Sequence, residues 1–201
     1  MTEPRVHIVD DDEAMRDSLK WLLESSGLKV ELYRSAEAFL QAWDNSFCGC
    51  LVLDVRMPGM NGLDLYERLR ARASTLPVIF ITGHGDVPMA VAALKKGAAD
   101  FIEKPFNDQD MLRLVETCMK QDRAAAAKRA EDASVAQRLD RLTQREREVL
   151  GLIVGGKLNK QIADALGISI KTVEVHRSRV MEKMGAASVA ELVQLVLKSQ
   201  R

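Results

Sequence analysis

Val6-His7-Ile8-Val9-Asp10-Asp11-Asp12-Glu13 decides how this chain is read: an apolar burst of four residues runs straight into four carboxylates. A burst so short, closed by polar residues, suits a buried strand better than a helix. Outward from it lie four more bursts, Val30-Glu31-Leu32-Tyr33, Cys50-Leu51-Val52-Leu53, Pro77-Val78-Ile79-Phe80-Ile81 and Asp100-Phe101-Ile102. Between them apolar residues recur at spacings of three and four. Met15, Leu19, Leu22 and Leu23 mark the first such stretch, and Gly27 suits its C-terminus. Short strands alternating with helices build a parallel sheet covered on both faces. Five βα repeats within residues 1–120 predict a flavodoxin-like, doubly wound α/β domain.

The chain has 201 residues, 47% of them apolar, enough for one or two domains with ordinary cores. No apolar run approaches the ~20 residues of a membrane span. The first residues, MTEPRVHIVDDDE, lack the apolar stretch of a signal peptide, so a cytoplasmic protein without membrane contact is expected. The three cysteines are Cys48, Cys50 and Cys118. The Cys-Gly-Cys pair lacks the two-residue spacing of a redox or zinc site, and reduced, structural thiols are expected. A net charge of zero hides an asymmetry. Residues 1–120 carry 19 acids and 14 bases, whereas residues 121–201 carry 10 acids and 15 bases. A basic back half hints at nucleic acid.

From Gln121 to Leu142 there is no Gly or Pro and almost no bulky apolar residue. Such a stretch is too polar to own a core. Its Ala, Arg, Lys, Gln and Glu predict a semi-rigid helical linker continuing the fifth helix, with a disordered tether as the alternative. The boundaries read as 1–120 for the first domain, 121–138 for the linker and 139–201 for the second domain. Thr143-Gln144-Arg145-Glu146 is a capping box that starts a helix, and Ser188-Val189-Ala190-Glu191 is another. Between them Asn159 to Leu166 and Ile170 to Met184 read as helices joined by Gly167-Ile168-Ser169, the punctuation of a helix-turn-helix. An all-α domain of four helices follows. No aromatic residue occurs after Phe106, so Leu150, Ile153, Ile162, Ala163, Leu166, Val173, Val180, Met184, Leu192 and Leu195 must form its core.

Ligands of a doubly wound sheet lie beyond the carboxyl ends of the strands where strand order reverses. Asp10 and Asp11 end the first strand there, and Asp54 ends the third. Carboxylates crowded at one edge repel unless a cation intervenes, which predicts a hard divalent ion held by oxygens, most plausibly Mg²⁺. Asp12 and Glu13 are read instead as caps of the first helix. The fourth strand ends at Thr82 and the fifth runs into Lys104-Pro105, so a hydroxyl and an ammonium converge on the same place. A carboxylate nucleophile, a cation, a hydroxyl and a lysine are the parts that phosphoryl transfer to an aspartate needs.

Val9-Asp10-Asp11, Leu53-Asp54-Val55-Arg56-Met57-Pro58-Gly59-Met60-Asn61-Gly62, Ile81-Thr82-Gly83 and Glu103-Lys104-Pro105-Phe106 together resemble the receiver domain of two-component response regulators, over residues 4 to about 120. The resemblance implies that Asp54 accepts a phosphoryl group from a sensor histidine kinase. It implies that Asp11, Asp54 and the carbonyl of Arg56 hold Mg²⁺, or Mn²⁺ in its place, with Asp10 acting through water. Thr82 would contact the phosphoryl group, Lys104 would pair with it, and the Lys104-Pro105 bond would be cis. Thr82 and Phe101 take the switch positions. A Phe there has no hydroxyl, so only burial of its ring can report activation. His84 is assigned a loop or surface role.

On the helix from Ile170, a turn of 100° per residue puts Val173, Val180 and Met184 inward and Lys171, Glu174, Arg177 and Ser178 outward. Arg177 and Arg179 can neutralise phosphates while Thr, Glu and Ser reach base edges; an ordinary solvated face is the alternative. Leu142 to Leu150, Asn159-Lys160-Gln161-Ile162-Ala163, Leu166-Gly167-Ile168-Ser169 and Thr172-Val173-Glu174-Val175-His176 resemble the LuxR-type helix-turn-helix of the NarL/FixJ family, over residues 139 to 200. That resemblance puts Lys171, Thr172, Glu174, Val175 and Ser178 near bases of double-stranded DNA and Lys160, Arg177 and Arg179 near phosphates. His176 would support the helix, and the fourth helix would dimerise. His84 to Ala90 and Phe101 to Phe106 resemble the FixJ branch. This suggests that phosphorylated receivers form a homodimer through Val87, Val91 and Leu94, with core burial of those three equally open. RNA polymerase is a further implied partner.

A rival from the enzymes is a haloacid-dehalogenase-like phosphatase, but Arg56 stands where that chemistry commonly has a second Asp. A relay module that does not bind DNA is a third reading. The chain is therefore expected to be no enzyme beyond phosphoryl acceptance and autodephosphorylation at Asp54.

Overall fold

The five apolar bursts are the five strands of one sheet. In the computed structural model they are β1 (Arg5–Val9), β2 (Val30–Tyr33), β3 (Gly49–Asp54), β4 (Val78–Thr82) and β5 (Asp100–Glu103), all parallel in the order β2-β1-β3-β4-β5. The structure describes residues 3–83 and 87–199, except the side chains of Val87, Pro88, Ala90 and Ser199. The chain divides into two units, Met1–Ala125 and Ala126–Arg201.

In the first unit strand order reverses between β1 and β3, which opens the crevice at their carboxyl ends. One row of the sheet runs Tyr33, Val9, Leu53, Phe80, Phe101 across all five strands. It forms an apolar floor one residue short of Asp10 and Asp54. Alternation along each strand supplies two cores. Leu51, Leu53, Val78 and Phe80 pack with α2 (Ala36–Ala42), α3 (Gly62–Ala71) and α4 (Val87–Lys95). Cys50, Val52, Ile79 and Ile81 pack with α1 (Glu13–Ser25) and α5 (Asp108–Asp140). β3 ends at Asp54 as expected, the Asp54 backbone still pairing with Ile81.

Asp12 caps α1, its carboxylate accepting from Ala14 N at 2.9 Å, as the sequence led one to expect. The helix ends two residues before Gly27, in a Schellman turn: Leu28 N donates to Leu23 O at 3.1 Å and Gly27 N to Glu24 O at 2.9 Å.

The second unit contains the last turns of α5 with α6 (Gln144–Val154), α7 (Asn159–Leu166), α8 (Ile170–Met184) and α9 (Val189–Ser199). Its core is aliphatic and includes every expected residue, with Leu166 and Leu195 only partly buried. Val135, Leu142, Val149 and Val196 join them. The stretch from Gln121 is helical to Asp140, but it is coreless only in its middle. Asp122 is buried in the first unit, and Val135, Leu139 and Leu142, at spacings of four and three, pack in the second. The Thr143–Glu146 capping box is complete. At α9 the Ser188 hydroxyl accepts from Glu191 N at 3.2 Å, but the Glu191 carboxylate takes Ala187 N at 2.8 Å instead of the cap residue.

His7, on the α2–α3 side of β1, is 3% exposed and stacks on Phe47 with centroids 4.7 Å apart. Burial lowers its pKa to about 4, against an opposing pull from Glu31. Between pH 6.5 and 4 the unfolded chain therefore takes up a proton that the folded chain refuses, and stability falls as pH drops through that window. Both tryptophans, Trp21 and Trp43, lie in the first unit, so their fluorescence reports its unfolding alone. The expected loss is about 3 kcal/mol across the window, and His7→Phe should flatten it; an unchanged pH slope in that variant would contradict the assignment.

Candidate functional site

The acidic pocket is built by four strand ends and closed by Lys104. Its Nζ donates to Asp54 Oδ1 at 2.7 Å and to Asp10 Oδ2 at 3.3 Å. Both carboxylates are buried, with Asp10 at 1% and Asp54 at 6% exposure. The backbone secures their other oxygens, Arg56 N donating to Asp54 Oδ2 and Asp12 N to Asp10 Oδ1, each at 2.8 Å. Arg16 Nη1 holds the Asp10 carbonyl at 2.8 Å. Lys104 is itself positioned by the sheet, because its N–H donates to Thr82 O at 2.8 Å, and the Lys104-Pro105 peptide is cis.

Burial pushes the Asp54 carboxyl above the ordinary Asp range, although the bond and charge of Lys104 oppose the rise. Burial also works against the Lys104 ammonium, but Asp54 and Asp10 prevail and hold it above the usual Lys value. Thr82 is fully buried on the neighbouring strand, and its hydroxyl lies 3.5 Å from the Gly83 carbonyl. Phe101 is half-buried on β5, opposite Phe80. Asp11 is exposed at the mouth of the pocket. Of the expected dimerisation residues, Val91 is exposed and Leu94 packs partly on the core; the Val87 side chain and all of His84 lie outside the described residues.

Among the described residues no three His, Cys, Asp or Glu side chains converge closely enough to grip a metal ion, because Lys104 occupies the space between Asp10 and Asp54. The donor chemistry nonetheless fits a hard divalent ion. Two buried carboxylates, an exposed third beside them and the nearby Arg56 carbonyl are all oxygens, as Mg²⁺ or Mn²⁺ prefers.

Two positioning residues escaped the sequence reading. Glu37 on α2 accepts from Met60 N at 2.8 Å and so pins the loop after Asp54. Gly62 begins α3 so close to β3 that a Cβ there would meet the Asp54 carbonyl oxygen at 2.2 Å. The Gly was legible in the sequence, but its reason was not.

In the second unit, α7 and α8 are joined by Gly167, whose φ of +64° favours glycine, and Ser169 caps α8 by accepting from Thr172 N at 3.1 Å. Val173, Val180 and Met184 are fully buried. Lys160, Lys171, Glu174, Val175, Ser178 and Arg179 are exposed, whereas Thr172 and Arg177 are partly buried. His176 Nδ1 is buried without a hydrogen-bond partner. The pair is fastened from α6: Arg145 Nη2 donates to Leu166 O at 2.9 Å, and Lys183 Nζ donates to Glu146 at 2.6 Å.

A doubly wound sheet with an Asp–Lys–Asp cluster at its switch point, joined to a helical unit with a capped helix-turn-helix, defines a receiver domain coupled to a DNA-binding domain. Comparison with known families agrees. Residues 6–116 match the response regulator receiver domain and residues 140–196 match the bacterial regulatory proteins of the luxR family. The chain belongs to the response regulators of the NarL/FixJ family. It is 53% identical to the transcriptional regulatory protein FixJ of Azorhizobium caulinodans over 96% of this chain and 91% of that one. It is 47% identical to the C4-dicarboxylate transport transcriptional regulatory protein DctR of Rhodobacter capsulatus, over 94% and 98%. Among solved structures it resembles the response regulator StyR, with TM-score 0.91, 44% identity and coverage of 98% and 100%. Full-length FixJ from B. japonicum gives 0.62 and 44%, with coverage of 100% and 98%. Among the described residues no helix is long and apolar enough to cross a membrane.

Lys104→Met should leave two buried carboxylates uncompensated and destabilise the first unit by about 2–4 kcal/mol at pH 7. The loss, followed by tryptophan fluorescence in chelator, should shrink in acid as the carboxylates take up protons. In the second unit the Lys183 bond and the Thr143 amide hold the Glu146 carboxyl down to about 2. Its contribution is present above the ordinary Glu pKa of 4.5 and is lost as pH falls toward 2. Glu146→Gln should cost about 1–3 kcal/mol at neutral pH, read by circular dichroism, and remove that acid dependence.

Proposed function

We propose that Asp54 accepts a phosphoryl group from the phosphohistidine of a sensor histidine kinase and that acceptance switches DNA binding by the second domain. The observation that carries this reading is the 2.7 Å contact of Lys104 Nζ with Asp54 Oδ1, closed across 50 positions of chain. Asp54 Oδ1 is the attacking oxygen, and Arg56 N fixes Oδ2 so that the carboxylate cannot rotate. The Lys104 ammonium, already at the attacking oxygen, transfers its bond to a phosphoryl oxygen as that group arrives. The Thr82 hydroxyl supplies a second donor. Asp11, Asp54 and the Arg56 carbonyl would hold Mg²⁺, with Asp10 acting through water, and the ion when bound would neutralise the carboxylates and the incoming phosphoryl oxygens. Hydrolysis of the acyl phosphate at the same site returns the chain to its starting state.

The phosphoryl group can bias the two states only through differential contacts. Thr82 drawn toward it vacates space that the half-buried Phe101 ring fills, and the altered α4–β5 surface, with Val87, Val91 and Leu94, forms a homodimer. Two copies then set α8 into successive major grooves about one helical turn, ~34 Å, apart. There Lys171, Thr172, Glu174, Val175 and Ser178 face bases, while Lys160, Arg177 and Arg179 face phosphates. The division of labour follows: receiver over 1–120, helical linker over 121–138, DNA-binding domain over 139–201, acting in the cytoplasm with RNA polymerase as the downstream partner.

With acetyl phosphate and Mg²⁺ the wild-type chain should gain the mass of one phosphoryl group and bind its own promoter DNA more tightly, with a steep loss of affinity as salt rises. Asp54→Asn should do neither. Donor-stimulated DNA binding by Asp54→Asn would overturn the scheme.

A further inference from the structure

Two periodicities meet at the start of β3, at the opposite end of that strand from Asp54. Residues two apart on a strand share a face, as do residues four apart on a helix. Cys48 and Cys50 flank Gly49 on β3's side of this contact, and Cys118 and Asp122 lie one turn apart on α5. Cys50, fully buried, and Cys118, 3% exposed, are packed in the same core between the sheet and α5. One turn further on, Asp122 accepts from Gly49 N at 2.8 Å and holds strand and helix in register. Gly49 has a φ of +116°, and a Cβ there would come within 1.9 Å of the Arg5 carbonyl oxygen, so this junction has no freedom to drift. None of the three thiols takes part in phosphoryl acceptance or DNA binding.

We propose that Cys50 and Cys118 are a redox pair that a peroxide converts reversibly to a disulfide, fastening α5 to the central strand of the receiver sheet. This goes beyond the expectation that all three cysteines are merely structural. The two sulfurs have different roles. The Cys50 thiol lowers the Cys118 pKa and favours its thiolate, whereas burial raises that of Cys50 and keeps it protonated. Burial, followed by the Asp122 charge, raises the pKa of Cys48, which makes the more exposed thiol the poorer nucleophile. The Cys118 thiolate attacks hydrogen peroxide: an S–O bond forms, the O–O bond breaks, and the departing hydroxide takes up the proton that Cys118 had released. Cys50 sulfur then attacks the sulfenic sulfur: the S–S bond forms, the S–O bond breaks, and hydroxide leaves as water with the Cys50 proton. Two thiols lose two electrons in all, and one peroxide is reduced to two waters.

The test uses the full-length chain treated with hydrogen peroxide, alkylated, digested without reductant and read by mass spectrometry. The expected main product is a cross-link between the peptides containing Cys50 and Cys118. It should persist in Cys48→Ser, which leaves the core untouched, vanish in Cys50→Ala and in Cys118→Ser, and reverse with dithiothreitol. The tryptophan-monitored melting midpoint of the oxidised chain should rise by about 5 °C or more. A main cross-link through Cys48, disulfide-linked dimers, Cys118 stopping at the sulfinic acid, or thiols that stay unoxidised would each overturn the proposal. None of these readouts depends on phosphoryl acceptance, so the two readings fail separately.

Discussion

Two buried carboxylates cannot share one sheet edge without a cation between them, and here the Lys104 ammonium is that cation, 2.7 Å from Asp54 and 3.3 Å from Asp10. Much of the first unit's geometry serves this contact. The strand order brings β1 beside β3, the Thr82 carbonyl holds the Lys104 backbone, and the row from Tyr33 to Phe101 forms a dry floor beneath. Burial raises Asp54 while Lys104 opposes the rise, so the carboxylate is costly to keep charged yet already paired where a new anion would arrive.

The second unit solves a different problem with the same means. With no aromatic residue to fill space, it depends on many aliphatic contacts and on polar bonds that tie helix ends together. Glu146 completes the Thr143 cap and also receives Lys183 from α8, so one buried carboxylate joins the start of α6 to α8. Arg145 reaches the last carbonyl of α7 in the same way. The orientation of α8 therefore rests on charged groups placed on α6, not on the helix-turn-helix alone.

Much of the site was legible because its residues stand at the carboxyl ends of strands, and strand ends can be found from apolar bursts alone. Asp10, Asp54, Thr82 and Lys104 all lie at such ends. Asp11, by contrast, is exposed. Glu37 and Gly62 were missed because their roles depend on approaches between segments far apart in the chain. The helical linker was read correctly as helix, but its sparse apolar residues were undervalued. Val135 and Leu142 are ordinary in sequence and buried in fact.

By itself the sequence determined the periods, and hence the strands, the helices and their caps, because these depend on neighbours within a few residues. It also determined which chemistry-bearing side chains end the strands. Only the tertiary structure decided that Lys104 stands between the two carboxylates, that the Asp122 carboxylate joins α5 to the start of β3, and that Cys50 and Cys118 share one core. The reason is geometric: strand order and helix placement bring together groups fifty or more positions apart, and no local pattern records a distance between them.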